Sequence, residues 1–282
     1  MTGPLFDMDA LAQNRARARR AGNRAMFLQE MAADQLLERL AEVNRTFTSP
    51  AVVTAFPDLW RDRLPDARIV AEADMLDLPP QSHDLVLHVL SMHWANDPVG
   101  QLIQSRRALR PDGLFLGVIY GGRTLNELRS ALAEAESRVR GGLSPRVAPM
   151  AELRDLGGLL QRAGYALPVA DSDILNVSYA DLPALIADLR AMGETSALAA
   201  RPRHFARRAL FEAAADLYRK HFPSADNRLS ATFEMIYLTG WAPDESQQKP
   251  LRPGSATTRL AEALGTAEFT TGDPTGPKPE FD

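Results

Sequence analysis

Asp84-Leu85-Val86-Leu87-His88-Val89-Leu90, DLVLHVL, is the stretch whose reading decides the fold. Its near-continuous apolar character is that of a strand at the centre of a parallel sheet, covered on both faces. Downstream, a helix over 98–109 runs into Arg110-Pro111-Asp112-Gly113, a stop signal, and a second apolar run follows over 114–120. Upstream, Pro50 to Phe56 reads as a short buried strand bounded by Pro57, then a brief helix over 58–64 and a strand over 68–72. Further out, apolar spacing predicts a helix over 26–41 and helices over 124–138, 151–163, 182–192 and 205–221. Strands are expected near 167–177 and over 232–241. Strands alternating with helices imply an α/β fold with a mainly parallel, doubly wound sheet.

The 282 residues divide into a helical arm over 1–45, an α/β domain over 46–250 and a tail over 251–282 rich in Gly, Pro, Thr and Ser. The late helix pair, about 180–222, reads as an insertion before the last strand. Hydrophobic residues make up 45% and charged residues 24%, ample for a core, and the formal net charge of -4 gives no reason to expect a nucleic-acid partner. Cysteine is absent, which excludes disulfides, thiolate metal sites and cysteine nucleophiles. No apolar run approaches the roughly 18 residues of a membrane span, and MTGPLFDMDA has no secretory pattern. The expected location is the cytoplasm, with the surface of the inner membrane as the alternative. Arg15, Arg17, Arg19, Arg20 and Arg24 crowd into ten residues. They read as a solvated helix face, or as a patch toward an acidic partner or a membrane surface.

Three stretches, read in order across about 45 residues, carry a resemblance. Ala73-Asp74-Met75-Leu76-Asp77-Leu78-Pro79 resembles the acid-containing loop after the third strand of class I S-adenosylmethionine-dependent methyltransferases. Asp84-Leu85-Val86 through Met92-His93-Trp94 resembles their fourth strand and the turn beyond it. Leu109-Arg110-Pro111-Asp112-Gly113-Leu114 resembles the turn that launches their fifth. Downstream, Gly121-Gly122-Arg123-Thr124-Leu125-Asn126-Glu127-Leu128-Arg129, Gly141-Gly142-Leu143-Ser144-Pro145, Met192-Gly193-Glu194 and Arg252-Pro253-Gly254-Ser255-Ala256 are similar to the methyltransferase-like assembly factors of respiratory complex I. More distantly, the chain resembles the carrier-protein methyltransferases of biotin synthesis. The resemblance implies a Rossmann-like sheet with an antiparallel last strand. It also implies a mitochondrial relative that hydroxylates an arginine of a complex I subunit.

What the resemblance implies for the site is specific. Asp74 would accept from the adenine amino group of S-adenosylmethionine, and Met75 would pack on the ring. Val89 and Ser91 would line the cofactor groove, with Ala55 and Phe56 at its methionine end. His93 and Tyr120 lie beyond the carboxyl ends of their strands, where doubly wound sheets bind ligands, and would face the substrate. Asp74 reads equally as a turn aspartate, and His93 as a packed histidine. Two departures bear on this. The family's glycine-rich turn is replaced by Thr54-Ala55-Phe56-Pro57, and no glycine occurs between Gly22 and Gly100. Only about 17 residues separate Phe56 from Asp74, so the strand whose acid binds the ribose is expected to be missing.

The other candidates stay structural. Strand alternation sends His83 and His88 to opposite faces, so no metal is expected. Ser144 has no triad partners, Gly141-Gly142 no phosphate-loop lysine, and Trp241 and Glu194 are expected to hold the inserted helices to the sheet, with lining a substrate cleft as the lesser alternative. The leading expectation is a methyltransferase-like protein using S-adenosylmethionine on a protein side chain or a small acid. The competing expectation is a cofactor-free pseudoenzyme, or a hydroxylase-like factor, that assists assembly of a respiratory complex subunit. For the hydroxylase the sequence offers no iron-binding triad.

Overall fold

A computed structural model describes residues 3–248, apart from 23, 225 and 227, together with 262, 265 and 266. Residues 1–245 form one unit and 246–282 a second; the predicted tail over 251–282 lies almost wholly outside the described residues. Eight helices and six strands are described in the first unit. They are α1 (Met8–Arg20), α2 (Phe27–Glu42), β1 (Pro50–Thr54), α3 (Asp58–Arg61), β2 (Arg68–Ala71) and β3 (His83–Val89). Then come α4 (Pro98–Ala108), β4 (Leu109–Tyr120), α5 (Asn126–Arg140), α6 (Leu153–Arg162), β5 (Ala166–Tyr179), α7 (Leu182–Ala191), α8 (Arg208–His221) and β6 (Leu229–Trp241).

The strands form one sheet in the order β2-β1-β3-β4-β6-β5. β2, β1, β3 and β4 run parallel, and β6 is antiparallel to both of its neighbours. This is the doubly wound sheet with an antiparallel last strand that the sequence predicts, and α7 and α8 fall between β5 and β6 as expected. All seven residues of β3 are buried, because helices cover both of its faces. Leu85, Leu87 and Val89 point with Leu116 and Val118 into the larger core, under α2, α5, α7 and α8. Val86, Phe115 and Ile119 point the other way, with Leu102 of α4 and Leu160 of α6. The period-2 alternation of strand side chains thus serves two cores at once.

Two local differences from the sequence reading have physical causes. The stop signal over 110–113 lies inside β4, because the strand pairs at His83↔Leu109 and again at Leu85↔Leu114, with the intervening residues bulged out. Gly113 is required there, since a Cβ would come 2.9 Å from the Arg110 carbonyl oxygen. The second difference concerns the arginines of α1. Arg15 is not on a solvated face: it is 1% exposed and points into the sheet's carboxyl end.

Candidate functional site

The carboxyl ends of β1, β3 and β4 and the edge strand β2 open toward α1, the 3-10 turn Met92–Trp94 and the loop after α7. Asp7 caps α1 by accepting from the Ala10 amide at 3.1 Å. This fixes a helix of 13 residues in which only Leu11, Asn14, Arg15 and Ala18 are buried. Arg15 is at the centre of the site. Its Nε donates to Glu72 Oε1 at 3.0 Å, and its Nη1 donates to Glu194 Oε1 at 2.6 Å. Longer contacts reach the carbonyls of Met192 and Leu90, both at 3.4 Å. The guanidinium also lies 5.4 Å from the Phe56 ring centroid. Leu90 reaches this position by turning the backbone to φ 40° at the end of β3, a conformation that non-glycine residues adopt at a cost.

Glu194 binds three partners. Besides Arg15, it accepts from Trp94 Nε1 at 2.7 Å and lies 3.2 Å from His93 Nε2. Gly193, at φ 77°, provides the left-handed turn after α7 that brings the carboxylate back toward the sheet. Burial alone would raise the Glu194 pKa, but Arg15 and then His93 bring it down to about 2. Burial also opposes the charge on Arg15, yet Glu194 and Glu72 outweigh it and hold the guanidinium more firmly protonated than usual. Burial, and then the charge of Glu194, raises Tyr120 well above the ordinary range, so its hydroxyl keeps its proton.

The residues named from sequence fall in two groups. His93 and Tyr120 are brought together edge to face, with ring centroids 4.8 Å apart. Ser91 lies 3.3 Å from His88, which also contacts Gln101; burial lowers the His88 pKa to about 4. Val89 is buried in the larger core. Ala55 and Phe56 are buried together with Ala18 of α1, and the Ala55 carbonyl accepts from Arg19 at 3.0 Å. Asp74 is exposed and holds Gln101 and Gln104 through its backbone oxygen, while Met75 is 77% exposed. Glu194, read from sequence as a brace for the inserted helices or as a wall of a substrate cleft, ties the loop after α7 to Trp94 and His93 and also lines the cavity, at the hub of the site. Its match within Met192-Gly193-Glu194 is the signal that marks it, and Glu72 carries no signal of its own. Among the described residues no group of three or more His, Cys, Asp or Glu could hold a metal ion.

Two spaces flank this network. A cavity of about 260 Å³ lies between the sheet end and helices α5, α7 and α8. Leu128, Leu132, Val147, Ile186, Leu189 and Phe233 form its apolar walls, and Trp94, Tyr120, Arg146, Arg190 and Glu194 also line it. The other space is the groove beneath α1, where the residues matched to the cofactor loops stand. Between Asp74, His88, Ser91 and α1 it measures only about 10 Å³, room for about one water. On the far side of Arg15 an open groove of about 510 Å³ runs over Thr54, Ala55, Ile69 and Ala71. Glu72 lines both parts, and Arg15 borders the wider one. With α1 in this position the groove is narrow at the end matched to the adenine loop and open at the other.

The comparisons agree with the fold. Residues 29–117 match the family model described as a methyltransferase domain. The arginine-hydroxylase NDUFAF5 of Dictyostelium discoideum is 41% identical over 190 residues, covering 67% of this chain and 43% of that protein. That of Danio rerio is 36% identical over 220 residues, covering 78% of this chain and 68% of that protein. A malonyl-[acyl-carrier protein] O-methyltransferase of Halorhodospira halophila is 32% identical over 218 residues, covering 75% and 70%. The chain thus spans between about two fifths and about two thirds of the length of the NDUFAF5 relatives it matches. Parallel strands closed by an antiparallel β6, a matching domain model and relatives of both kinds place the chain together: it belongs to the S-adenosylmethionine-dependent methyltransferase superfamily.

Proposed function

We propose that this chain is a methyltransferase-like protein that acts on an arginine side chain of a partner protein. The observation that carries the reading is the apolar cavity of about 260 Å³ that ends at Glu194. An arginine has the same build in reverse: an aliphatic stem that prefers apolar surface and a planar fork that pairs with carboxylate. A small acid, the other candidate substrate class, would set its carboxylate against Glu194, which a pKa lowered to about 2 keeps ionised. The names of the NDUFAF5 relatives, arginine hydroxylases, support the same choice. The carrier-protein methyltransferase relative supports the acid instead, as do Arg146 and Arg190 in the lining, and the ionised Glu194 weighs against it.

The chain's own residues have definite work in this reading. Glu194 anchors the guanidinium, and Trp94 and His93 hold the carboxylate in place. Tyr120, kept protonated, offers a hydroxyl donor at the same end of the cavity. S-adenosylmethionine, bound in the groove, would supply the methyl group. We assign Asp74, Met75, Ser91 and Ala55 to that groove, which α1 narrows at its adenine end. The partner we propose is a subunit of respiratory complex I, on the strength of the resemblance to its assembly factors. No helix among the described residues is long and apolar enough to cross a membrane.

A second reading, a cofactor-free assembly protein, is favoured by the narrow adenine end of the groove alone. Calorimetric titration with S-adenosylmethionine separates the two. Micromolar affinity that falls about tenfold in Asp74→Ala, about 1.4 kcal/mol, supports the enzyme. No heat at millimolar cofactor sinks methyl transfer and leaves the assembly reading.

A further inference from the structure

We infer that Glu72 and Glu194 form a guanidinium receptor, which the chain fills with its own Arg15 until an arginine of the partner protein takes that place. The inference rests on the arginine-directed reading above and adds the regulation of that site. Arg15 stands where two carboxylates converge at the strand ends, one from the end of β2 and one from the loop after α7. The two acids carry one more negative charge than the arginine neutralises. Glu72 Oε2 is buried with no hydrogen-bond partner, an acceptor left over within the receptor. Glu194 also faces the apolar cavity, so a side chain arriving from that direction reaches the same carboxylate.

The way α1 is held makes the exchange feasible. Leu11 and Ala18 are its only buried apolar residues among those described, whereas α2 buries Leu28, Ala32, Ala33 and Leu36. Just before the helix, Phe6 packs on Trp94 and Leu198, with Met8 and Ala10 partly buried beside them, and polar contacts complete the attachment. Asn14 donates to the Thr195 carbonyl at 2.8 Å, and the Asp7 amide donates to Ala197 at 2.8 Å. Arg15 therefore acts as a tethered competitor, whose effective concentration is set by the helix that carries it. An incoming guanidinium from the cavity meets Glu194 first and reaches Glu72, which lines the groove on the other side, as Arg15 leaves. Lysine, with a single compact ammonium, cannot reproduce a fork between two separate acids.

Thermal unfolding with ethylguanidinium chloride, matched in ionic strength with ethylammonium chloride, tests this without any cofactor. A ligand that binds only the native state raises its melting temperature. At low millimolar concentration Arg15→Ala is expected to gain several degrees from ethylguanidinium and clearly less from ethylammonium. The wild type and Arg15→Ala/Glu194→Gln are expected to gain nothing. Should Arg15→Ala fail to fold, Arg15→Met, which keeps an apolar stem, takes its place. A direct titration with N-acetyl-arginine amide is expected to bind Arg15→Ala about tenfold tighter than wild type, the tethered competitor having been removed. Equal gains for the two cations, equal gains in wild type and variant, or equal affinities would each overturn the receptor. Those results leave the cofactor titration untouched, and a null cofactor titration leaves the receptor standing.

Discussion

Replacing Arg15 by alanine removes the one cation that faces two acids in the site. The Glu194 side chain is 7% exposed and that of Glu72 is 17%, so water reaches neither well once the guanidinium is gone. Breaking a buried ion pair from one side costs about 3–5 kcal/mol. A second route gives a similar figure. Glu194 falls from 4.5 to about 2 in the folded chain, which is roughly 3 kcal/mol of preference for the charged form; His93 supplies part of it. Urea unfolding at neutral pH is therefore expected to show Arg15→Ala about 3 kcal/mol less stable than wild type. Arg15→Ala/Glu194→Gln should recover part of that loss, because the stranded carboxylate goes with it. The pH dependence has a definite sign. A carboxylate depressed in the folded state contributes stability above its unfolded pKa, and that contribution is lost as pH falls from 4.5 toward 2 in wild type. In Arg15→Ala the part of the depression that Arg15 supplies is gone, so the gap between the two proteins should narrow over that window. A loss under about 1 kcal/mol at neutral pH, or a gap that does not change with pH, would refute the reasoning, since it would put Arg15 among exposed ion pairs.

Three further expectations follow from single residues. His88 is held neutral by burial with a pKa of about 4, so the unfolded chain binds its proton first. Stability is expected to decline by about 3 kcal/mol as pH falls from 6.5 to 4, less steeply in His88→Asn, in pH-dependent urea titrations. A Cβ on Gly121 would lie 2.5 Å from Glu234 Oε2 and 2.7 Å from Ile236 Cδ1. Gly121→Ala is expected to lose about 1–3 kcal/mol by thermal unfolding, and no loss would mean the β4 end is looser than described. Leu132 lines the apolar cavity, and Leu132→Phe is expected to leave stability within about 1.5 kcal/mol while abolishing binding of N-acetyl-arginine amide to Arg15→Ala. Unchanged binding would remove the cavity from the substrate path.

The parts of the fold that were legible are those fixed by local pattern. DLVLHVL is apolar throughout because β3 is covered on both sides, and the helices are bounded where apolar spacing fails. His93 and Tyr120 were legible as a pair because both follow parallel strands at the carboxyl rim. Arg15 was not, since five arginines in ten residues look alike along a helix. The one that turns inward is selected by Glu72 and Glu194, which lie 57 and 179 residues away along the chain. Glu72 follows the short β2, and only the direct pairing of β2 with β1 brings it to the rim. The narrowed groove was legible in part: Phe56 in place of glycine was visible, and the helix lying over it was not.

The measurement that reaches the central claim most directly is mass spectrometry of complex I subunits incubated with the full chain and S-adenosylmethionine, residue by residue. The account predicts a gain of mass on an arginine with the wild-type chain, lost with Glu194→Gln. A modification confined to lysines or carboxylates, or an arginine modified equally well by Glu194→Gln, would contradict it.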